Sequence, residues 1–261
     1  MTNSVDAVLP AGGRIAGQFA VEAAAEVKAL ISLGGRTVLE RAICALRGSA
    51  YVEHIVVVGP ERLCGHPAAR GADAVLPELG TGPENILSGL EWLRHAGGGR
   101  WPERVLVMTT DLPFVTARVV DDYLEACPMG LDLCVPLVAR AEFAARFPGA
   151  PAKYVKLRDG ECTMGCAFVL NPETLTENWR HVENAYAARK SQWRMARLLG
   201  LGFILRFATR RLTVAEIESR CAEMLGCVGG AVWGSSPELA FDIDRLVEYR
   251  YAVHRLAQGD A

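Results

Sequence analysis

The residues of this chain best suited to chemistry are a few charged groups set at the ends of apolar runs. Asp6-Ala7-Val8-Leu9-Pro10 is followed at once by Ala11-Gly12-Gly13-Arg14. Glycines after a buried strand let main-chain N–H groups approach a phosphate closely, and an arginine can pair with its oxygens. The same two glycines also make an ordinary turn, and the pattern is neither Walker A nor GxGxxG. Lys28 heads Ala29-Leu30-Ile31-Ser32-Leu33-Gly34-Gly35. It is either a movable positive charge for a triphosphate or a solvated loop residue. Asp111 ends the run Arg104-Val105-Leu106-Val107-Met108-Thr109-Thr110-Asp111, just before Leu112-Pro113. A carboxylate there needs a cation, a helix terminus or a donor. Magnesium is held by one or two carboxylates together with phosphates, and an Asx-type turn before Pro113 is the structural alternative. Asp242 and Asp244 bracket Ile243. In an extended segment both point to one side, as a cation site requires, while Asp244 could instead cap a helix beginning at Arg245.

Elements must hold these residues in place. Short, continuously apolar strands are predicted at 6–10, 54–59, 74–77 and 104–108. Helices are predicted between them, at 37–47 with Thr37 and Glu40 in capping-box spacing, at 84–95, and at 116–127 with Thr116 as N-cap. Continuous apolar strands alternating with helices predict a parallel sheet covered on both faces. Ligands bind at the carboxyl ends of such strands, where the glycine loop and Asp111 both lie. After residue 130 the rhythm changes. Strands are expected at 131–138, 165–170 and 229–233, a mostly helical stretch at 172–226 with a second capping box at Thr213 and Glu216, and a closing helix to about Leu256. One catalytic domain is expected, with a nucleotide-binding half (1–139), an acceptor-binding elaboration (140–235) and a closing segment (236–261).

The bulk properties narrow the partners. Of 261 residues, 51% are hydrophobic and 22% charged, a globular balance, and the net charge of -2 gives no global field to recruit nucleic acid. No apolar run approaches the roughly 18 residues of a membrane span, and the polar, acidic start has no signal-peptide pattern. The eight cysteines are scattered without a CxxC pair. They read as reduced, small core residues of a cytoplasmic protein. Cys162 and Cys166 find no His or second Cys pair to complete a metal set, and the five histidines form no cluster.

The order of these features is specific: a strand, a Gly-rich loop with Arg, Lys-x-Leu-x-x-Leu-Gly-Gly, a helix, strand–Asp-x-Pro, and a late Asp-x-Asp before the last helix. In this the sequence resembles the MobA-like nucleotidyltransferases, the GT-A-type NTP-transferase family, over residues 6 to about 127 and again over 229–256. The resemblance implies an α/β, three-layer Rossmann-like (GT-A-type) mostly parallel sheet with helices on both faces and a mixed α/β elaboration. It implies Mg²⁺-dependent transfer of NMP from an NTP, with CTP or GTP favoured, onto a small phosphorylated or sugar-like acceptor. By the same resemblance Leu9, Ala11, Gly12, Gly13 and Arg14 cradle the NTP, and Arg14 and Lys28 neutralise its phosphates. Asp111 holds Mg²⁺ with Asp242 or Asp244. Gly82, Asn85 and Ser88 lie where the base and ribose are read, and Thr163 and Gly165 where the acceptor is held. Ile15-Ala16-Gly17 departs from the family, in which a second Gly or a Ser closely follows the first pair.

Lysines are rare in this chain, and Lys153, Lys156 and Lys190 are candidates for an acceptor phosphate. Lys190 opens a stretch in which Arg194, Arg197, Arg206, Arg210 and Arg211 surround Trp193, Met195 and Gly202-Phe203-Ile204-Leu205. It reads either as a core element with snorkelling arginines, or as a basic, apolar-flanked lip for an anionic acceptor or a membrane surface. Two other functions fit parts of the pattern: a GT-A glycosyltransferase using the Asp-x-Asp, and a non-catalytic nucleotide-binding relative. A Rossmann dehydrogenase lacks its fingerprint here.

Overall fold

The computed structural model describes residues 4–188, 191 and 199–259. The first half runs β1 (Val5–Pro10), α1 (Gly17–Ala23), the ribbon β2 (Ser32–Leu33) and β3 (Arg36–Thr37), and α2 (Val38–Gly48). Then come β4 (Val52–Gly59), β5 (Ala74–Pro77), α3 (Gly82–Ala96), β6 (Val105–Met108) and α4 (Ala117–Ala126). The second half begins with β7 (Leu133–Ala139), α5 (Arg140–Arg146), β8 (Val155–Leu157), β9 (Gly160–Met164) and β10 (Ala167–Leu170). It continues with α6 (Pro172–Glu177), α7 (Trp179–Ala188), α8 (Leu201–Ala208), α9 (Val214–Leu225), β11 (Gly229–Trp233) and α10 (Leu246–Ala257).

Among the described residues nine strands form one sheet. Its first half, β5-β4-β1-β6, is parallel throughout. β10 then pairs antiparallel with both β6 and β7, β9 pairs antiparallel with β7 and β8, and β11 lies parallel on β7. Leu133 and Cys134 pair with β10 on one side and β11 on the other, and Leu137 pairs with Met164 and Trp233 in the same way. β9 and β10 therefore occupy one edge of β7 as a single strand broken at Gly165-Cys166. The break is tight: a Cβ on Gly165 would meet the Leu239 carbonyl oxygen at 2.9 Å and Pro136 at 2.8 Å.

The strands read as continuous apolar runs because both faces are buried. Ala7 and Leu9 of β1 face α2 and α4 in a cluster with Leu39, Ile43, Leu46, Val120 and Leu124. Val8, pointing the other way, packs with Leu90 and Leu93 of α3. A Cβ on Gly89 would meet Val8 at 2.6 Å, so α3 lies close against β1. The helix starts follow the sequence. The Thr37 hydroxyl accepts from the Glu40 N–H (3.1 Å) while the Glu40 carboxylate accepts from the Thr37 N–H (2.6 Å), and Thr116 caps α4. The box predicted at Thr213 and Glu216 is also present.

A second cluster carries the late acidic segment. The Phe241 ring is buried against Phe114, Phe147 and Tyr251, with centroids 5.0, 5.0 and 5.4 Å away, and stacks on Phe143 at 6.4 Å. Asp242 follows it directly, so this packing anchors the segment that carries the two carboxylates. Phe241→Ala is expected to lower unfolding free energy by about 3–5 kcal/mol in urea titrations. Phe241→Leu, which keeps most of the volume, should cost less than about 2 kcal/mol.

Candidate active site

The glycine loop is stapled to a segment that follows α1. The Ala11 N–H donates to the Val58 carbonyl (2.7 Å), the Ile15 N–H to the Glu26 carbonyl (2.9 Å) and the Lys28 N–H to the Gly13 carbonyl (2.9 Å). Arg14 and Val27 form an isolated antiparallel bridge. A Cβ on Gly13 would lie 3.1 Å from Lys28 Cδ, so the missing side chain leaves room for the lysine stem. Lys28 Nζ then reaches Asp111 Oδ2 at 3.1 Å and donates to Asp244 Oδ1 as well.

Asp111 stands beyond the end of β6 and is tied by its main chain to the C-terminal segment, its carbonyl accepting from the Ile243 N–H at 3.1 Å. The Thr109 N–H donates to the Cys166 carbonyl (3.0 Å), and the Cys166 N–H to the Leu239 carbonyl (2.7 Å). This lacing brings Asp111, Asp242 and Asp244 together, with one oxygen of each within 4.8 Å of the others. Asp244 does not cap the last helix. Arg245 holds that position, and its N–H donates to the Glu248 carboxylate at 2.7 Å.

The electrostatics follow from this crowding. Burial and the negative charges of Asp111 and Asp244 push the Asp242 carboxyl up to about 7. Burial also acts to raise Asp244, but its hydrogen bond to Lys28 and the lysine's charge outweigh it and hold the group below the usual carboxylate range. Burial acts to lower Lys28, yet the charge of Asp111 and the bond and charge of Asp244 raise it above its ordinary value, so it stays an ammonium. Burial and the same three carboxylates push the Cys166 thiol well up, leaving it inert as a nucleophile.

The three carboxylates fit a hard divalent cation. Their donors are all oxygen, and Asp111 Oδ1 is buried with no hydrogen-bond partner among the described residues. Beside them opens a cleft of about 100 Å³ whose lining includes Lys153, Thr163, Asp242, Asp244, Arg245 and Glu248. Lys153 is exposed there, and Lys156 pairs with Glu161 at 3.0 Å and does not line the cleft. Lys190 lies outside the described residues, as do Trp193, Arg194, Met195 and Arg197.

The remaining residues singled out in the sequence divide by what they touch. Leu9 is fully buried, its side chain in the core and its backbone paired with Val57. Arg14 donates to the Gly12 carbonyl (2.8 Å) and pairs with Glu78. Asn85 is buried, and its Oδ1 accepts from the Leu79 N–H (2.6 Å), which fixes the loop before α3. The Gly82 N–H, at the start of α3, donates to the Tyr186 hydroxyl at 3.3 Å. Ser88 is half-buried on α3, and Gly165 is buried at the strand break.

Sequence reasoning passed over Glu78 and Tyr186. Glu78 immediately follows β5, at the same carboxyl edge as the glycine loop, and that position was its signal. A Cβ on Gly12 would lie 2.5 Å from its carboxylate. Tyr186 sits 104 residues from its partner, and nothing local marks it.

The arrangement of sheet, loop and carboxylates has relatives. Residues 15–195 match the MobA-like NTP transferase domain, a span that holds Lys28, Asp111 and Thr163 and leaves out Gly12, Gly13, Arg14, Asp242 and Asp244. A hypothetical transferase from Thermus thermophilus is 30% identical, with a TM-score of 0.82 over 93% of this chain and 97% of that one. A nucleotidyl transferase from Methanothermobacter shares the fold at 18% identity and a TM-score of 0.58, covering 98% of this chain and 99% of its own. So does a 2-C-methyl-D-erythritol 4-phosphate cytidylyltransferase, also from Thermus thermophilus, at 20% identity and a TM-score of 0.54 over 98% and 99%. No curated protein sequence matches the chain. With most of its length matched to one domain family and its sheet shared with these enzymes, the chain belongs to the MobA-like NTP transferases and is a nucleotidyltransferase.

Proposed function

We propose that this nucleotidyltransferase moves an NMP unit from an NTP, CTP or GTP in the first instance, onto a small phosphorylated or sugar-like acceptor and releases pyrophosphate, with Mg²⁺ as its cation. The observation that carries this reading is the meeting of Asp111, Asp242 and Asp244 around Lys28, beside the glycine loop and at the carboxyl edge of the parallel strands. The name of the cytidylyltransferase relative favours CTP among the donors.

In this reading the main chain of Gly12 and Gly13 gives the triphosphate a close approach, and Arg14 and Lys28 carry the positive charge that meets it. Asp111, Asp242 and Asp244 hold the cation, which when bound supplies charge neutralisation on phosphate oxygens. Asn85 sets the loop 79–82, and with Ser88 this region receives base and ribose. The cleft holding Lys153 and Thr163 receives the acceptor, within an elaboration spanning 140–235 between a nucleotide-binding half (1–139) and a closing segment (236–261). An ionised acceptor phosphate oxygen, with no proton to lose, attacks the α-phosphorus in line, its bond forming as the bond to pyrophosphate breaks. Such transfers depend on positioning and charge, so the chain needs no histidine base.

Three results are expected. Scanning fluorimetry with CTP, GTP, ATP and UTP, each with and without Mg²⁺, should show one nucleotide raising the melting temperature by several degrees, and more with the metal. A ligand at 100 times its Kd contributes about 2.7 kcal/mol. No shift with any of the four would remove the NTP-donor reading. Asp111→Asn should lower magnesium-dependent pyrophosphate release by about a hundredfold or more with an unchanged melting temperature. Near-native turnover would take Asp111 out of the metal site.

The third concerns pH. A carboxyl raised on folding binds its proton more tightly in the native state, so stability falls as pH rises from the unfolded value near 4 towards the native value of about 7. In the metal-free protein Asp242→Asn should therefore raise stability at pH 8 and flatten the decline between about pH 4 and 7 in urea titrations. An unchanged pH profile would show that Asp242 is not crowded by its neighbours.

A further inference from the structure

The apolar, arginine-flanked stretch singled out in the sequence has no part in the chemistry above. Its described portion is α8 and the turn that follows. No residue of α8 is buried: Leu201 is 85% exposed, Leu205 66% and Phe207 47%. An apolar helix of a folded protein ordinarily hides one stripe against the core. At its C-terminal end stand Arg206, Arg210 and Arg211, all exposed, the first paired with Glu216. The Arg210 N–H donates to the Phe207 carbonyl (3.0 Å) and the Arg211 N–H to the Arg206 carbonyl (2.8 Å). Arg210 itself has φ +57°, the left-handed helix-ending position where glycine is usual because it has no Cβ to crowd. The chain keeps a long cation at a position where its backbone favours glycine.

The apolar surface continues beyond α8. Phe203 packs on Leu157, Cys162, Leu212 and Val214. Val155 pairs with Cys162, Met164 with Leu137 and Leu137 with Trp233, so these side chains share one face of the sheet. Val155, Met164 and Trp233 are 40%, 56% and 43% exposed. Between this face and α9 lies a cavity of about 260 Å³ with an apolar lining apart from Glu218, whose carboxylate accepts from the Ala231 N–H at 2.7 Å. Thr163, pointing to the opposite face, lines the acceptor cleft. This surface is thus on the reverse side from the carboxylates.

Exposed apolar side chains edged by arginines call for a partner that is apolar within and anionic at its rim. We propose that α8 and the adjoining sheet face dock this protein on an anionic lipid surface. Leu201 and Leu205, one turn apart on the same face of α8, enter the boundary between headgroups and acyl chains, and Arg210 and Arg211 meet the lipid phosphates. No helix among the described residues is long and apolar enough to cross a membrane, so the contact is one-sided. The carboxylate site stays open to solution.

The full chain would be sedimented with phosphatidylcholine vesicles and with vesicles that also contain phosphatidylglycerol. Binding is expected to the anionic vesicles, several-fold weaker to the neutral ones, and to fall as salt rises. Leu201→Asp with Leu205→Asp should abolish it. Arg210→Gly relieves the left-handed backbone, so with Arg211→Gln it should weaken vesicle binding several-fold while the melting temperature holds or rises. That separates a lipid contact from a folding role. Failure to sediment with either vesicle overturns the proposal, as does undiminished binding by the arginine variant. A dimer in solution that Leu205→Asp dissociates, without any vesicle binding, would assign this face to a second copy instead.

Discussion

Like charges repel, and three carboxylates drawn within 4.8 Å of one another need something between them. In this protein that something is the Lys28 ammonium, and much of the surrounding architecture serves to deliver it. The stem of Lys28 crosses the glycine loop where Gly13 has no side chain to block it. The loop in turn is fixed by main-chain bonds to Val58 on one flank and to the segment 26–28 on the other. The carboxylates are delivered from two directions, Asp111 by the end of β6 and the pair of Asp242 and Asp244 by a segment anchored on the Phe241 rings. The compensation is partial. Asp244, bonded to the lysine, is held low, and Asp242, farther from relief, is pushed up to about 7.

How much of this could be read from the sequence depended on range. The parallel half was legible because strands buried on both faces leave an unbroken apolar signature, and because Thr37 and Thr116 announce their helices with local hydrogen-bonding chemistry, as Thr213 does in the second half. Asp111 was legible as a charge out of place at the end of an apolar strand. Asp242 and Asp244 were legible as a pair, though the helix-cap alternative was closed only by finding Arg245 in that role. α1 escaped notice because its N-cap is Ala16, with no side-chain bond to mark it. The hairpin of β8 and β9 escaped because Lys156 and Glu161 give it a polar outer face, and it continues into β10 only through the break at Gly165. The contacts of Arg14 with Glu78 and of Gly82 with Tyr186 join residues 64 and 104 positions apart, and no local pattern encodes either.

The two halves of the sheet divide the work between them. The parallel half has loops at one edge that bring main-chain N–H groups, Arg14 and Glu78 to a common rim. The mixed half contributes direction: its strands alternate side chains between a polar cleft at Thr163 and an apolar face at Cys162 and Met164. One strand thus separates two environments of opposite character within a single residue step. Gly165 keeps that strand in place at its break, because the backbone of Leu239 passes too close for any side chain.

The pairing of Lys28 with Asp244 spans 216 residues, so the cluster also has an order in time. During synthesis the β1 loop, Lys28 and Asp111 emerge long before the segment that carries Asp242 and Asp244. Without that segment the site would consist of one lysine and one aspartate, an electrically neutral pair with too few oxygen donors for a divalent ion. The concentrated negative charge arises only when the chain's last strand and helix settle onto the sheet. The full set of oxygen donors is therefore assembled only in the completed fold, from elements at both ends of the sequence.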